Sequence, residues 1–135
     1  MATLKLEIVT PEAKIYSEDV DSVTLPGVEG ELGIYPMHIP LMTQLAAGEV
    51  CARKSGEDHF LAVGEGFVEV TGERVAILTD MAIKADDIDE AKAEEARRRA
   101  EARLQDKLGA DEHATVQAAL LHSLTQLNVK RRRRG

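Results

Sequence analysis

The sequence has no tryptophan and a single cysteine, Cys51. One thiol excludes a disulfide scaffold and a multi-cysteine metal site. Aromatic side chains are scarce, being only Tyr16, Tyr35, Phe60 and Phe67. No apolar run approaches the roughly 20 residues that cross a bilayer, so no membrane span is predicted. The N-terminus lacks a basic-then-apolar leader. Positive charge is in the minority, with 17 Lys and Arg against 24 Asp and Glu and a formal net charge of -7. That balance argues against a dedicated nucleic-acid binder, and no nucleic-acid partner is expected. What remains is 135 residues, 44% apolar and 30% charged. This suits one globular domain, or a small domain with an appendage.

The two halves of the chain have different periods. All four prolines, all the aromatics and eight of the ten glycines precede residue 86. In that part Leu4-Lys-Leu-Glu-Ile-Val9 alternates Leu4, Leu6 and Ile8 on one face. Further strand-like runs are 21–25, 48–53, 59–63, 66–70 and 74–78, and Thr71-Gly72-Glu73 reads as a tight hairpin. Many short strands with glycine turns and apolar residues in excess predict a β-sandwich or barrel. From Asp86 to Lys107 the chain is rich in Ala, Glu, Arg and Lys, which predicts a helix with Asp87 and Glu90 as a capping box. Its apolar stripe is Ala93, Ala96, Ala100, Leu104 and Leu108. Gly109 breaks it. Asp111 is positioned to cap a second helix through Leu127, with Val116, Leu120, Leu124 and Leu127 apolar and Leu121 beside them. The short joint predicts an antiparallel hairpin. An alanine seam buries little area, so the hairpin should lean on the sandwich or on another protein.

No chemistry of an enzyme is legible. His38, His59, His113 and His122 form no ligand spacing, and His113 and His122 fall on opposite helix faces. No metal site is expected. Cys51 has no local histidine partner and reads as a small buried residue. The glycine pairs at 27–30 and 64–66 lack the signatures of phosphate loops. Two other features stand out. Gly30–Thr43 is a glycine- and proline-rich stretch with many apolar side chains. It is either a loop folded over the core or an apolar contact surface edged by Glu29, Glu31 and His38. The tail Lys130-Arg-Arg-Arg-Arg134 concentrates five positive charges. Such a run stays frayed unless it meets acidic groups, within the chain, on a protein partner, or on an anionic lipid or nucleic acid. Residues 1–85 carry 6 basic and 14 acidic side chains, and residues 86–135 carry 11 and 10.

The run Gly27-Val-Glu-Gly-Glu-Leu-Gly-Ile-Tyr-Pro-Met-His-Ile-Pro-Leu-Met-Thr43 resembles the signature of the epsilon subunit of bacterial F-type ATP synthase. Gly66–Val70 and Val75–Ala93 resemble later segments of the same family, so the resemblance spans the whole chain. It implies a β-sandwich of about ten strands over 1–85 and a two-helix regulatory domain over 86–135. It further implies a non-catalytic central-stalk subunit of the rotor, coupling proton flow through the c ring to ATP synthesis. The implied partners are the gamma subunit, the c-ring subunits and, with the hairpin extended, alpha and beta. Membrane association would come through the complex only, peripherally, on the cytoplasmic face of the bacterial inner membrane.

The resemblance assigns Glu29, Glu31, Met37, His38 and Ile39 to the c-ring contact. It makes Arg97, Arg98, Arg99 and Arg103, with Lys130, Arg131, Arg132, Arg133 and Arg134, candidates for meeting an acidic segment of beta and restraining ATP hydrolysis. No cofactor is required, but some relatives bind ATP as a regulatory ligand. The matching residues are Ile88, Asp89, Lys92 and Ala93, with Arg99 for phosphate. Lys92 stands where arginine is usual and lacks its planar fork, and the bland alternative is an Asp89 in the first helical turn beside solvated Lys92 and Arg99. A non-rotor adaptor and a small β-sandwich enzyme are the rival readings.

Overall fold

A computed structural model describes residues 2–133. It contains ten strands, β1 (Leu4–Val9), β2 (Lys14–Val20), β3 (Ser22–Gly27), β4 (Gly30–Ile34), β5 (Leu41–Leu45), β6 (Gly48–Lys54), β7 (Glu57–Val63), β8 (Gly66–Thr71), β9 (Arg74–Thr79) and β10 (Ala82–Lys84). A 3-10 turn, Ala85–Asp87, leads to helices α1 (Glu90–Arg103) and α2 (Ala110–Arg133).

The strand order is β10-β7-β6-β3-β5-β8-β9-β1-β2, with β4 also on β3. β3 is the hinge between two layers. Its first half pairs with β6, whereas only its last residue, Gly27, pairs with β5 at Leu45. All neighbours are antiparallel except β1 and β9, which run parallel with Leu6 opposite Val75 and Ile8 opposite Ile77. The alternation read in the sequence holds. Leu4, Leu6 and Ile8 face inward and are fully buried, with Val23, Leu25, Val50, Leu61, Val68, Val70, Val75 and Ile77. Few aromatics are needed because branched aliphatics fill the space between the layers.

Edge strands β2 and β10 do not pair with each other. Side chains tie β2 to β7 and β6 instead. The Tyr16 hydroxyl lies 3.3 Å from His59 Nδ1, and Lys54 pairs with Glu18. On the outward side of β1, Glu7 is nearly buried between Lys14 at 2.8 Å and Arg74 at 2.6 Å. The hydrogen bond from Lys14 holds its carboxyl below the usual range. At the β6–β7 turn Ser55 and Gly56 both have positive φ, 53° and 82°, as a type I′ hairpin requires.

The helices differ from expectation at four points. α1 starts at Glu90 because Asp89, not Asp87, is the N-cap; its Oδ1 accepts from the Lys92 amide at 3.1 Å. Ala85–Asp87 is already committed to the 3-10 turn, so the Asp87–Glu90 capping box does not form. α1 ends at Arg103 rather than Lys107. α2 begins one residue before Asp111, which lies in the first turn and does not cap it. α2 runs on through the basic tail to Arg133, well past Leu127.

The buried residues of α2 are Ser123, Thr125, Leu127 and Val129. Alternate burial in a helix means that two opposite faces are covered. Val129 packs with Ala62 on β7, Ala85 in the 3-10 turn and Ile88 just after that turn, and His122 Nε2 reaches Asp80 at 3.1 Å. Leu127 and Ser123 lie on the other side, the side from which Arg131 reaches α1. Leu124, read as part of the apolar stripe, and Leu121, read as lying beside it, fall on a third face and are partly exposed. The hairpin thus lies folded against the β6–β7–β10 layer. Both faces of β7 are covered there, so Leu61, Ala62 and Val63 are consecutively buried.

Candidate functional site: two open surfaces and a clasped helix end

The β3–β4 turn and the loop joining β4 to β5 form the first open surface. Gly27 closes the turn because a Cβ there would stand 2.8 Å from the Gly30 carbonyl oxygen. Glu29 and Glu31 line one concavity of about 290 Å³ with Leu32, Leu41 and Thr43. Met37, His38 and Ile39 do not line it; they stand on the 35–40 loop. Met37 has φ 66° and is 80% exposed, so a bulky apolar residue is held outward in a left-handed conformation. His38 Nδ1 donates to the Ile39 carbonyl at 2.7 Å, stiffening the loop. With Tyr35 and Ile39 also exposed, the loop does not fold over the core.

The second surface was missed in the sequence. Adjacent strands align Gln44, Phe67 and Leu78 in one row, and Met42, Glu69 and Ala76 in the next. Phe67 is 54% exposed and Leu78 55%; Met42 and Val28 are also exposed. The helices cover the other layer, so this row stays open. Its signal was Phe67 and Leu78 alternating with the inward Val68 and Ile77.

The arginines of the hairpin are already paired. Arg97 engages Glu94 and Glu101; Arg98 reaches Glu94 at 3.4 Å, Arg99 reaches Glu95 at 3.2 Å, and Arg103 reaches Glu112 at 3.2 Å. Residues 130–133 of the tail are neither frayed nor free. Lys130 Nζ donates to the Ala85 carbonyl at 3.2 Å. Arg131 bridges Glu90 at 3.0 Å and Glu94 at 3.2 Å. Arg132 reaches Glu49 at 3.4 Å. Arg133 Nε donates to Glu49 at 2.9 Å while its guanidinium lies 3.7 Å over the Phe60 ring. Arg134 lies outside the described residues. Arg133 also walls a cleft of about 530 Å³ with Tyr16, Glu18, His59 and Lys84. Carboxylates (Glu18, Asp58, Asp86) and cations (Lys84, Arg133) both line that cleft, so it has no single sign of charge.

Hydrogen bonding to Arg97, opposed by partial burial and aided by Arg131, lowers the Glu94 pKa to about 2. In the unfolded chain this carboxyl protonates near 4.5. Its contribution is therefore complete above pH 4.5 and is lost as pH falls toward 2. The stability difference between wild type and Glu94→Gln, followed by helix melting, should shrink across that window.

The ATP candidates divide. Ile88 and Ala93 are buried, and Asp89 is occupied as the helix cap. Lys92 and Arg99 are exposed on one face of α1. Arg99 lines an apolar groove of about 370 Å³ between the helices with Ala96, Arg103, Val116 and Ala119; the other four candidates do not. Burial pushes the Cys51 thiol up and the residue is only half-buried. Among the described residues no group of three or more His, Cys, Asp or Glu is arranged to hold a metal ion, and no helix is long and apolar enough to cross a membrane.

A folded β-sandwich carrying a helical hairpin, open on two apolar surfaces, defines an interaction module. Residues 3–85 match the family described as ATP synthase, Delta/Epsilon chain, beta-sandwich domain, and residues 86–131 match its long alpha-helix domain. The chain belongs to this family. An ATP synthase epsilon chain of Dehalococcoides mccartyi is 47% identical over 135 residues, covering 99% of this chain and 96% of the relative. One from Nitratidesulfovibrio vulgaris is 42% identical over 128 residues, covering 95% and 96%. The fold matches a chain in the mitochondrial ATP synthase of Euglena gracilis, described as OSCP/F1/c-ring, with TM-score 0.74 and 25% identity over 93% of this chain and 79% of that one. A chain in the central stalk/c-ring structure from Tetrahymena thermophila shares the fold, with TM-score 0.62 and 14% identity over 96% and 99%. The chain is thus an epsilon-type, non-catalytic subunit of ATP synthase.

Proposed function

We propose that this subunit sits in the central stalk of a bacterial enzyme and couples proton flow through the c ring to ATP synthesis. The observation that carries the reading is the open apolar row on β5, β8 and β9, on the layer that the hairpin leaves bare. That row suits a long-lived contact with gamma, because apolar area removed from water contributes roughly 25 cal/mol per Å². The Met37–Ile39 loop, with Glu29 and Glu31 beside it, suits a polar loop of the c ring: apolar groups supply area and the carboxylates set register. The membrane is then reached through the complex, on its cytoplasmic face.

In the same reading the hairpin leaves the sandwich, meets alpha and an acidic segment of beta through its arginines, and restrains ATP hydrolysis. The small apolar contact of Val129 with Ala62, Ala85 and Ile88 supports a detachable element. Reconstitution with gamma and the catalytic hexamer tests this. Truncation after Asp87 should raise the hydrolysis rate, and equal rates would reject restraint by the hairpin.

ATP as a regulatory ligand is a second reading. The apolar groove edged by Arg99 and Arg103 favours it, since a base needs an apolar slot and phosphates need cations. Lys92 lies two turns from Arg99 on the same face. Calorimetric titration of the isolated subunit decides it; no heat at millimolar ATP discards the ligand.

A further inference from the structure

We propose that Lys130–Arg133 is an intramolecular clasp, and that Glu49, Glu90 and Glu94 form a receptor competing with any acidic protein segment for these arginines. The inference rests on the reading of a hairpin that leaves the sandwich, and adds what regulates its departure.

Four consecutive helical residues point about 100° apart, so together they sweep the whole circumference of the helix. Each finds a partner here. Lys130 meets the 3-10 turn, Arg131 meets α1, Arg132 and Arg133 meet β6, and Arg133 also covers Phe60 on β7. The last turn of α2 is thereby tied to four separate elements. Its cations also lie at the helix end where the backbone dipole favours positive charge.

The receptor is built into the body of the chain. The Glu49 side chain is only 11% exposed, whereas that of Arg132 is 62% exposed. Among the described residues the ion pairs of Glu49 are with Arg132 and Arg133 alone. When α2 leaves, Glu49 loses those cations together with the cover over Phe60. A single exposed ion pair contributes little, but a bidentate contact on a sheltered carboxylate, coupled to three neighbours, contributes more than their separate sum. The clasp is also intramolecular. An external acidic segment must outcompete carboxylates held at high effective concentration. The same arginines cannot serve both, so the folded and the partner-bound hairpin exclude each other. High salt should weaken the clasp by screening its exposed pairs.

The test uses the full chain without any other subunit, so it reads the clasp independently of the rotor reading. Backbone amide exchange is followed in α2 over residues 120–130 and in β1, β8 and β9 as an internal reference. Glu49→Arg, and separately Arg132→Glu with Arg133→Glu, should each speed α2 exchange about tenfold, with the strands unchanged. Combining the reversals should restore slow exchange. A poly-glutamate decapeptide should bind the milder variant Glu49→Gln about tenfold more tightly than wild type at low salt. Unchanged α2 exchange, failure of the combined reversal to restore it, or equal peptide affinity would each overturn the clasp. Loss of gamma binding or of hydrolysis control in an assembled complex would instead bear on the rotor reading.

Discussion

Replacing Phe67 by glutamate is expected to abolish stable capture of the chain by gamma while leaving the sandwich folded. The Phe67 ring points away from the core, and its strand neighbours Val68 and Val70 supply the inward packing. On the outward face it stands between Gln44 and Leu78, in the middle of the bare row. Aromatic anchors at the centre of an interface typically contribute about 2 kcal/mol or more, a loss of roughly 30-fold in affinity on truncation. Glutamate adds the cost of burying a charge without a partner. The cross-strand contact with Leu78 contributes only some 0.2–1 kcal/mol to the fold, so the melting temperature should move by a few degrees. Titration of gamma with both proteins, beside a thermal melt, checks the pair of outcomes. Wild-type affinity in Phe67→Glu would remove this face as the docking surface.

A second substitution acts on the fold alone. Gly66 begins β8, and a Cβ there would stand 1.9 Å from the Leu78 carbonyl oxygen and 2.8 Å from the Leu78 carbonyl carbon and Thr79 Cα. All three are backbone atoms, so no side chain can swing aside. Gly66→Ala must push β8 from β9, where Gly66 pairs with Thr79, and it strains the pairing with Leu45 on β5. Overpacking of this kind costs about 3 kcal/mol or more. In a protein of this size that corresponds to roughly 10 °C of melting temperature. Gly109→Ala is the control, because a methyl there meets nothing within 4 Å. It should melt within about 2 °C of wild type. A wild-type melt for Gly66→Ala would show that the β8–β9 contact is looser than described.

These two residues also mark how far the sequence could be read. Strands with clean alternation, such as β1 and β9, were visible because their inward residues recur every second position. β2 was not, because it lies at an edge and sinks only Tyr16 and Val20 while exposing or half-exposing charges. β4 and β5 were hidden by the glycines and prolines around them, and β10 is three residues long. Sequence reasoning exposed the 35–40 loop as an unusual apolar stretch. It could not find the Phe67–Leu78 row, because apolar residues on both faces of a strand say that both are covered, not by what. Which layer the hairpin takes is a tertiary outcome. The tail was read from repulsion among its own cations. Arg132 and Arg133 find their partner in Glu49, about 80 residues away in sequence and invisible to any local window. Leu121 and Leu124 show the same limit, since spacing marks a stripe but not which of three faces finds a neighbour.

Transmission of rotation between the c ring and the catalytic subunits is the role proposed for this chain. Proton-driven ATP synthesis in vesicles bearing the reconstituted enzyme tests it most directly, with this chain present and with it left out. Synthesis should fall to background without the chain and return when it is added back. Synthesis that proceeds equally well in its absence would contradict it.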